Sequence, residues 1–293
     1  MAGLPQIHHG LNVADLELTK SILRKLGYTG TQPDAPEPLE FRNIESDPVG
    51  QQTAHALGDR YITHYIENPA TGHQIDLIEI EPAYIQPRPS RAPAQGDLTI
   101  GMHVGDPYEA YELMKRSDPR SSGYSEPVEC PEEDGIRFYG LEGQDFIFTR
   151  RPDAFAILHY NERDLPEAKR FYEDVLGFEL VEVDSPRDDA RRYRIEGAGG
   201  RLEIEARADV TVPDYEKQSK RYAGANHFRL LNVDMERVSA KVAETGLGGF
   251  LLGPYPNGFA FLYGPTNETP EVFDLNVMKR AMEAAGMKAA VPA

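Results

Sequence analysis

The sequence repeats one pattern four times, and that repetition constrains the fold more than any other feature. Each copy opens with a short apolar strand that ends in an aspartate: IHHGLNVAD (7–15), TIGMHVGD (99–106), ILHYNERD (157–164) and HFRLLNVD (227–234). An Asp at that junction predicts a helix N-cap, because its side-chain oxygen satisfies an orphan N–H of the first turn. Pro107 after Asp106 and the Asp164-Leu165-Pro166-Glu167 run strengthen two of these starts. The spacing predicts helices over 16–25, 108–115, 166–176 and 235–245, with Gly27, Gly177 and Gly246 as stops. Short strands follow each helix, at 60–68 and 74–80, 136–142 and 145–150, 178–184, 191–197 and 201–206, and 259–264 and 271–277. The fold class expected is therefore α+β: four βαβββ units over 1–84, 97–151, 152–212 and 222–280. A lone unit leaves one sheet face bare, so the units should pair.

Charge narrows the partners. With 31 Lys+Arg against 48 Asp+Glu, the formal charge is -17, which opposes docking onto nucleic acid or an anionic membrane. No apolar run approaches the roughly 20 residues that span a bilayer, and MAGLPQIHHGLNV lacks the features of a signal peptide. One cysteine, Cys130, cannot form an intrachain disulfide. The expectation is a cytoplasmic protein acting on a small molecule; a homo-oligomer is left open.

Strand alternation sorts the first strands into two faces. His9, Leu11 and Val13, with their counterparts in the other units, form an apolar set suited to helix packing. The opposite, concave set carries one histidine per unit: His8, His103, His159 and His227. Four histidines on one kind of face are a stronger sign of a site than a lone one. His55 and His73 fall in a polar loop and a turn, and read as solvated.

The repeated unit, and above all DLPEAKRFYEDVLGF (164–178), resembles the vicinal oxygen chelate superfamily over roughly residues 5–278. That superfamily includes glyoxalase I, extradiol ring-cleaving dioxygenases, and fosfomycin- and bleomycin-resistance proteins. The resemblance implies paired units forming two half-open barrels, with a divalent metal on a concave face. Four units in one chain are most similar to the extradiol dioxygenases.

The family places a metal ligand seven residues before the helix cap, where His8 and His227 stand; units two and three have Thr99 and Ile157. A carboxylate from the last strand completes the family's set, and Asp76 and Asp274 match it, where units two and three have Ile147 and Glu203. Tyr65 precedes Asp76 by eleven residues, and Tyr263 precedes Asp274 by eleven. The doubled His–Tyr–Asp set implies that units one and four form the metal-bearing barrel. The usual extradiol pattern instead uses units three and four, and there His159 would be the first ligand. Glu271 competes with Asp274, because a one-residue slip in register would bring it into the site.

Two histidines and one carboxylate form the facial triad of Fe(II) oxygenases, whereas a fourth ligand, Asp76, would suit the isomerases and lyases. The lead expectation is an Fe(II)-dependent ring-cleaving dioxygenase using dioxygen on a small catechol-like substrate. Mn would serve the same reaction; the alternatives are a glyoxalase-type lyase, isomerase or epimerase using Ni, Co or Zn, and a non-catalytic resistance-type binding protein. The candidate catalytic residues are Tyr263, which matches the family's tyrosine before the last strand, His159, and Arg229. The family's histidine shortly upstream of that tyrosine is missing, since Asn257 and Gly258 stand there.

Overall fold

The computed structural model describes residues 7–30, 39–41, 60–81, 93–212, 224–266 and 268–284. Unit one comprises β1 (His8–Val13), α1 (Leu16–Lys25), β2 (Thr29–Gly30), β3 (Leu39–Phe41), β4 (Arg60–Asn68) and β5 (His73–Glu81). Unit two comprises β6 (Leu98–His103), α2 (Pro107–Ser117), β7 (Val128–Cys130), β8 (Gly135–Tyr139) and β9 (Asp145–Thr149). Unit three has β10 (Phe155–Asn161), α3 (Leu165–Arg170) running into a π turn at Phe171–Val175, then β11 (Glu179–Val183), β12 (Ala190–Glu196) and β13 (Arg201–Arg207). Unit four has β14 (Gly224–Leu230), α4 (Met235–Thr245), β15 (Gly249–Leu252), β16 (Phe259–Tyr263) and β17 (Pro270–Phe273), followed by α5 (Leu275–Ala284). His55 and the segment 82–92 lie outside the described residues.

Three of the four aspartates cap as their position requires. Asp15 accepts from Leu18 N at 2.9 Å, Asp106 from Tyr108 N and Glu109 N at 3.0 Å each, and Asp234 from Arg237 N at 3.0 Å. Asp164 does not cap. Asn161 caps a 3-10 turn that precedes α3, accepting from Arg163 N at 3.1 Å, and Asp164 instead accepts from Gln95 Nε2 at 2.9 Å. Gly246 closes α4 in the left-handed conformation, φ +68°, with its N–H on Val242 O.

The larger departure is at the end of unit four. The predicted strand 271–277 stops at Phe273, and Asp274 begins a helix. Asp274 Oδ1 accepts from Val277 N at 2.9 Å and Asp274 O from Met278 N at 2.9 Å. The strand–Asp–helix pattern thus occurs a fifth time, at the point where the sequence pattern predicts continuing strand.

The strands form two mixed sheets. The nine-stranded sheet runs β15-β16-β17-β14-β1-β5-β4-β2, with β3 also on β4, and so combines units one and four. The eight-stranded sheet runs β11-β12-β13-β10-β6-β9-β8-β7 and combines units two and three. In each sheet the two first strands meet antiparallel at the centre, and each lies parallel to the last strand of its own unit. Each sheet is a half-open barrel.

The helices pair the other way. One core joins Leu11, Val13, Ile22 and Leu23 of unit one to Ile100, Met102, Tyr111 and Phe148 of unit two. The other joins Leu158, Tyr160, Phe171 and Tyr172 of unit three to Phe228, Leu230, Met235 and Val238 of unit four. Each fully buried side chain of this size contributes roughly 1.5–3 kcal/mol, so the helix-covered faces hold the fold and the concave faces remain for chemistry. His9 lies on the helix side, 2.9 Å from His73 Nε2, and His73 Nδ1 meets Tyr28 Oη at 2.5 Å. His73 is fully buried, not solvated, because it opens β5 and packs against His9 and Tyr28. Among the described residues no helix is long and apolar enough to cross a membrane.

Candidate metal centre

Register places the donors. On β1 and β14, His9 faces Phe228 and Gly10 faces His227. On β1 and β5, His8 faces Gln74 and Gly10 faces Asp76. On β14 and β17, Arg229 faces Glu271. Two rows therefore cross the sheet, related by a pseudo-twofold through His9 and Phe228. One reads Gln74–His8–Arg229–Glu271, and its mirror reads Thr269–His227–Gly10–Asp76.

The first row and His227 converge. His8 Nε2 is 3.1 Å from His227 Nε2 and 3.5 Å from Glu271 Oε2. The donor atoms of His8, His227 and Glu271 all lie within 4.8 Å of one another. The three residues are 2%, 4% and 6% exposed. Burial holds the His8 imidazole well below the ordinary histidine range, with the Arg229 charge adding to it. Burial, then neighbouring His8, pushes His227 down to about 3. Both rings are neutral at physiological pH, the form that binds a metal.

The tautomer of His8 follows from its neighbours. A guanidinium only donates, so Arg229 Nη1, 3.3 Å from Gln74 Oε1, fixes the orientation of that amide. The same oxygen lies 3.0 Å from His8 Nδ1, which must then carry the proton. The Nε2 lone pair of His8 is left facing the cluster. Arg229 Nε also donates to Glu271 Oε2 at 2.8 Å, and the guanidinium lies 5.0 Å over the Phe273 ring.

Asp76 stands back. It is buried, it accepts from the Thr63 hydroxyl, and it hydrogen-bonds to Tyr65. Burial, then the like charge of Glu271, raises its pKa well above the usual carboxylate value. The aromatic neighbours also follow the register. Tyr65 faces Asp76 across β4 and β5, and its ring centroid is 6.1 Å from that of His8. Phe261 faces Glu271 across β16 and β17, and packs edge-on against His227 at 5.3 Å.

Several predicted site residues sit elsewhere. Asp274 is the cap of α5, three residues past Glu271 and hence on the other strand face, so Glu271 is the carboxylate of the cluster. Tyr263 is 44% exposed with its ring laid on Gly249; Phe261, two residues earlier, occupies the place that mirrors Tyr65. His159 belongs to the other sheet, with Nε2 2.7 Å from Thr99 Oγ1 and Nδ1 3.5 Å from Glu205 Oε1. His8, His227 and Arg229 are together, and Asp76 borders them. Gln74, Glu271 and Phe261 form the rest. Glu271, the competitor of Asp274 in the sequence, is the one the strand carries into the cluster, because β17 ends at Phe273.

The donor set fits a divalent metal. Ligand atoms held about 2.1 Å from one ion and set at right angles are about 3 Å apart, and the observed separations of 3.1 and 3.5 Å are of that size. Two neutral imidazoles and a carboxylate are also the donor types that borderline transition metals take.

Residues 155–272, spanning units three and four, match the Glyoxalase/Bleomycin resistance protein/Dioxygenase superfamily model. That stretch belongs to the vicinal oxygen chelate superfamily. The whole chain shares its fold with solved members of the group. Glyoxalase I from Zea mays superposes with TM-score 0.58 at 17% identity, over 97% of this chain and 95% of that one. Its E144Q mutant gives TM-score 0.60 at 17% identity, over 95% of each chain. A candidate dioxygenase from Bacillus subtilis gives TM-score 0.56 at 14% identity, over 100% of this chain and 93% of that one. No curated protein matches the sequence.

Proposed function

We propose that this protein is a metal-dependent enzyme that chelates two adjacent oxygens of a small organic substrate, and that it cleaves a catechol-like ring with dioxygen. The observation that carries this reading is the His8, His227, Glu271 cluster, a two-histidine, one-carboxylate set on one side of a site. A divalent metal held there, Fe(II) for this reaction, would supply Lewis acidity and electrons to dioxygen. The protein's part is to hold the donors dry and aimed. Gln74 keeps the His8 proton on Nδ1, and Arg229 holds Glu271 in place. Asp76 and the Tyr65 hydroxyl bonded to it are the groups able to hold a substrate proton.

One observation favours a second reading, a glyoxalase-type isomerase or lyase. Asp76 occupies the register position that mirrors Glu271, so a short side-chain movement would add a fourth ligand. Anaerobic purification with metal analysis separates the two. Iron or manganese, with oxygen uptake when catechol is added, supports ring cleavage. Nickel, cobalt or zinc without oxygen uptake supports the isomerase. A chain that takes up no metal sinks both.

A further inference from the structure

We propose that Arg229 decides which of two mirror-related carboxylates completes the donor set. Its guanidinium commits Glu271 to the ion and leaves Asp76 outside. The proposal rests on the metal-centre reading above and adds the reason that the centre is asymmetric.

The pseudo-twofold makes the comparison direct. Glu271 and Asp76 occupy equivalent positions on β17 and β5, each one strand away from a first strand. Glu271 faces Arg229, whereas Asp76 faces Gly10, which has no side chain. A buried carboxylate is costly unless a cation or several donors hold it. Glu271 has that cation at 2.8 Å, with the guanidinium in turn anchored on Gln74. Asp76 has the Thr63 hydroxyl and Tyr65, both neutral.

A carboxylate oxygen has two lone pairs, so an N–H and a metal can share it. The Nε donor therefore orients Glu271 without blocking it, as hydrogen-bonded groups around a ligand commonly do. Arg229 also reaches His8 through Gln74, so one guanidinium aligns donors from both units. Arg229 is a positioning residue on this account, not a catalytic one.

The test is cobalt(II) binding by the whole chain, followed by calorimetry and by the visible absorption of the bound ion, whose intensity reports coordination number. Arg229→Met, which retains the packing over Phe273, should weaken cobalt binding about 10- to 100-fold and change the spectrum. Arg229→Lys, which keeps the cation, should recover the spectrum. Asp76→Asn should change affinity less than about threefold in the wild type. In the Arg229→Met background it should cost a further tenfold or so, because Asp76 is then recruited. An unchanged affinity and spectrum in Arg229→Met would overturn the proposal, as would an equal Asp76→Asn effect in both backgrounds. If Arg229→Met does not fold, the wild-type comparison still decides, since a large loss in Asp76→Asn alone contradicts it. A wild type that binds no cobalt removes the metal-centre reading as well, whereas cobalt binding without coupling removes only this inference.

Discussion

The two sheets are built on the same plan, yet their concave faces differ in what their buried polar groups confront. In the sheet of units one and four, two neutral imidazoles and a carboxylate face one another, with their donor atoms all within 4.8 Å. In the sheet of units two and three, each buried carboxylate of β9 and β13 pairs with an arginine. Asp145 is bound by Arg137 at 2.6 Å, and Glu203 by Arg192 at 2.6 Å and Arg201 at 2.9 Å. The positions that match His8 and His227 are Thr99 and Ile157, directly opposite each other in the β6–β10 register. Ile157 belongs to an apolar plug with Cys130, Ile147 and Phe155. The Phe155 ring lies so close over Gly101 that a Cβ there would come within 2.4 Å of it. One face is charge-balanced and filled by its own side chains. On the other, two neutral imidazoles stand beside the arginine-held Glu271, a donor set of the kind a divalent metal takes. What separates a site from its degenerate copy is thus the pair of imidazoles standing where the copy has Thr99 and Ile157, since arginine-paired carboxylates are present on both faces.

The contrast can be broken from either side. The largest effect should come from removing a donor: His8→Ala or His227→Ala should abolish metal uptake, measured by metal analysis of the purified variant, while the far-UV circular dichroism stays native. Full occupancy in both variants would show that the clustered donors are not a metal site. Filling is the complementary property. Phe155→Ala should lower unfolding free energy by about 3–5 kcal/mol, the usual loss for a buried Phe, read from urea titration. It should leave metal affinity unchanged, because the plug lies in the other sheet. The smallest effect should belong to Tyr263→Phe. Its exposure and its distance in register from Glu271 predict a change within about 0.5 kcal/mol in stability, and no loss of turnover. A tenfold loss would place the phenol in the reaction and sharpen the contrast at the rim of the site.

Much of this was legible in the chain. Asp15, Asp106 and Asp234 announce their helices by local chemistry, and local chemistry is what a sequence shows directly. The placement of His8 and His227 on one face follows from strand period alone. The carboxylate was harder, because it depends on where β17 ends. Tyr65 and Asp76 are eleven residues apart and face each other, but Phe261 and Glu271 are ten apart. The spacing of eleven between Tyr263 and Asp274 therefore does not join partners in register. The turn between β16 and β17 differs in length from the turn between β4 and β5, and turn length sets register. Strand period places Arg229 on the concave face beside His227, but gives neither its role nor that of Gln74. Their roles exist only once β5, β1, β14 and β17 lie side by side.

That arrangement draws its donors from opposite ends of the polypeptide. His8 and His227 are 219 residues apart in sequence, and Glu271 comes later still. At translation rates of about 5–20 residues per second, the ribosome makes His8 roughly ten to fifty seconds before Glu271. During that interval β1 has no β14 to pair with, and His8 alone is a single imidazole of negligible affinity. Units two and three, by contrast, are neighbours in the chain and can complete their salt-bridged sheet as soon as they emerge. On the metal-centre reading proposed above, the centre can therefore form only after the fourth unit has been made.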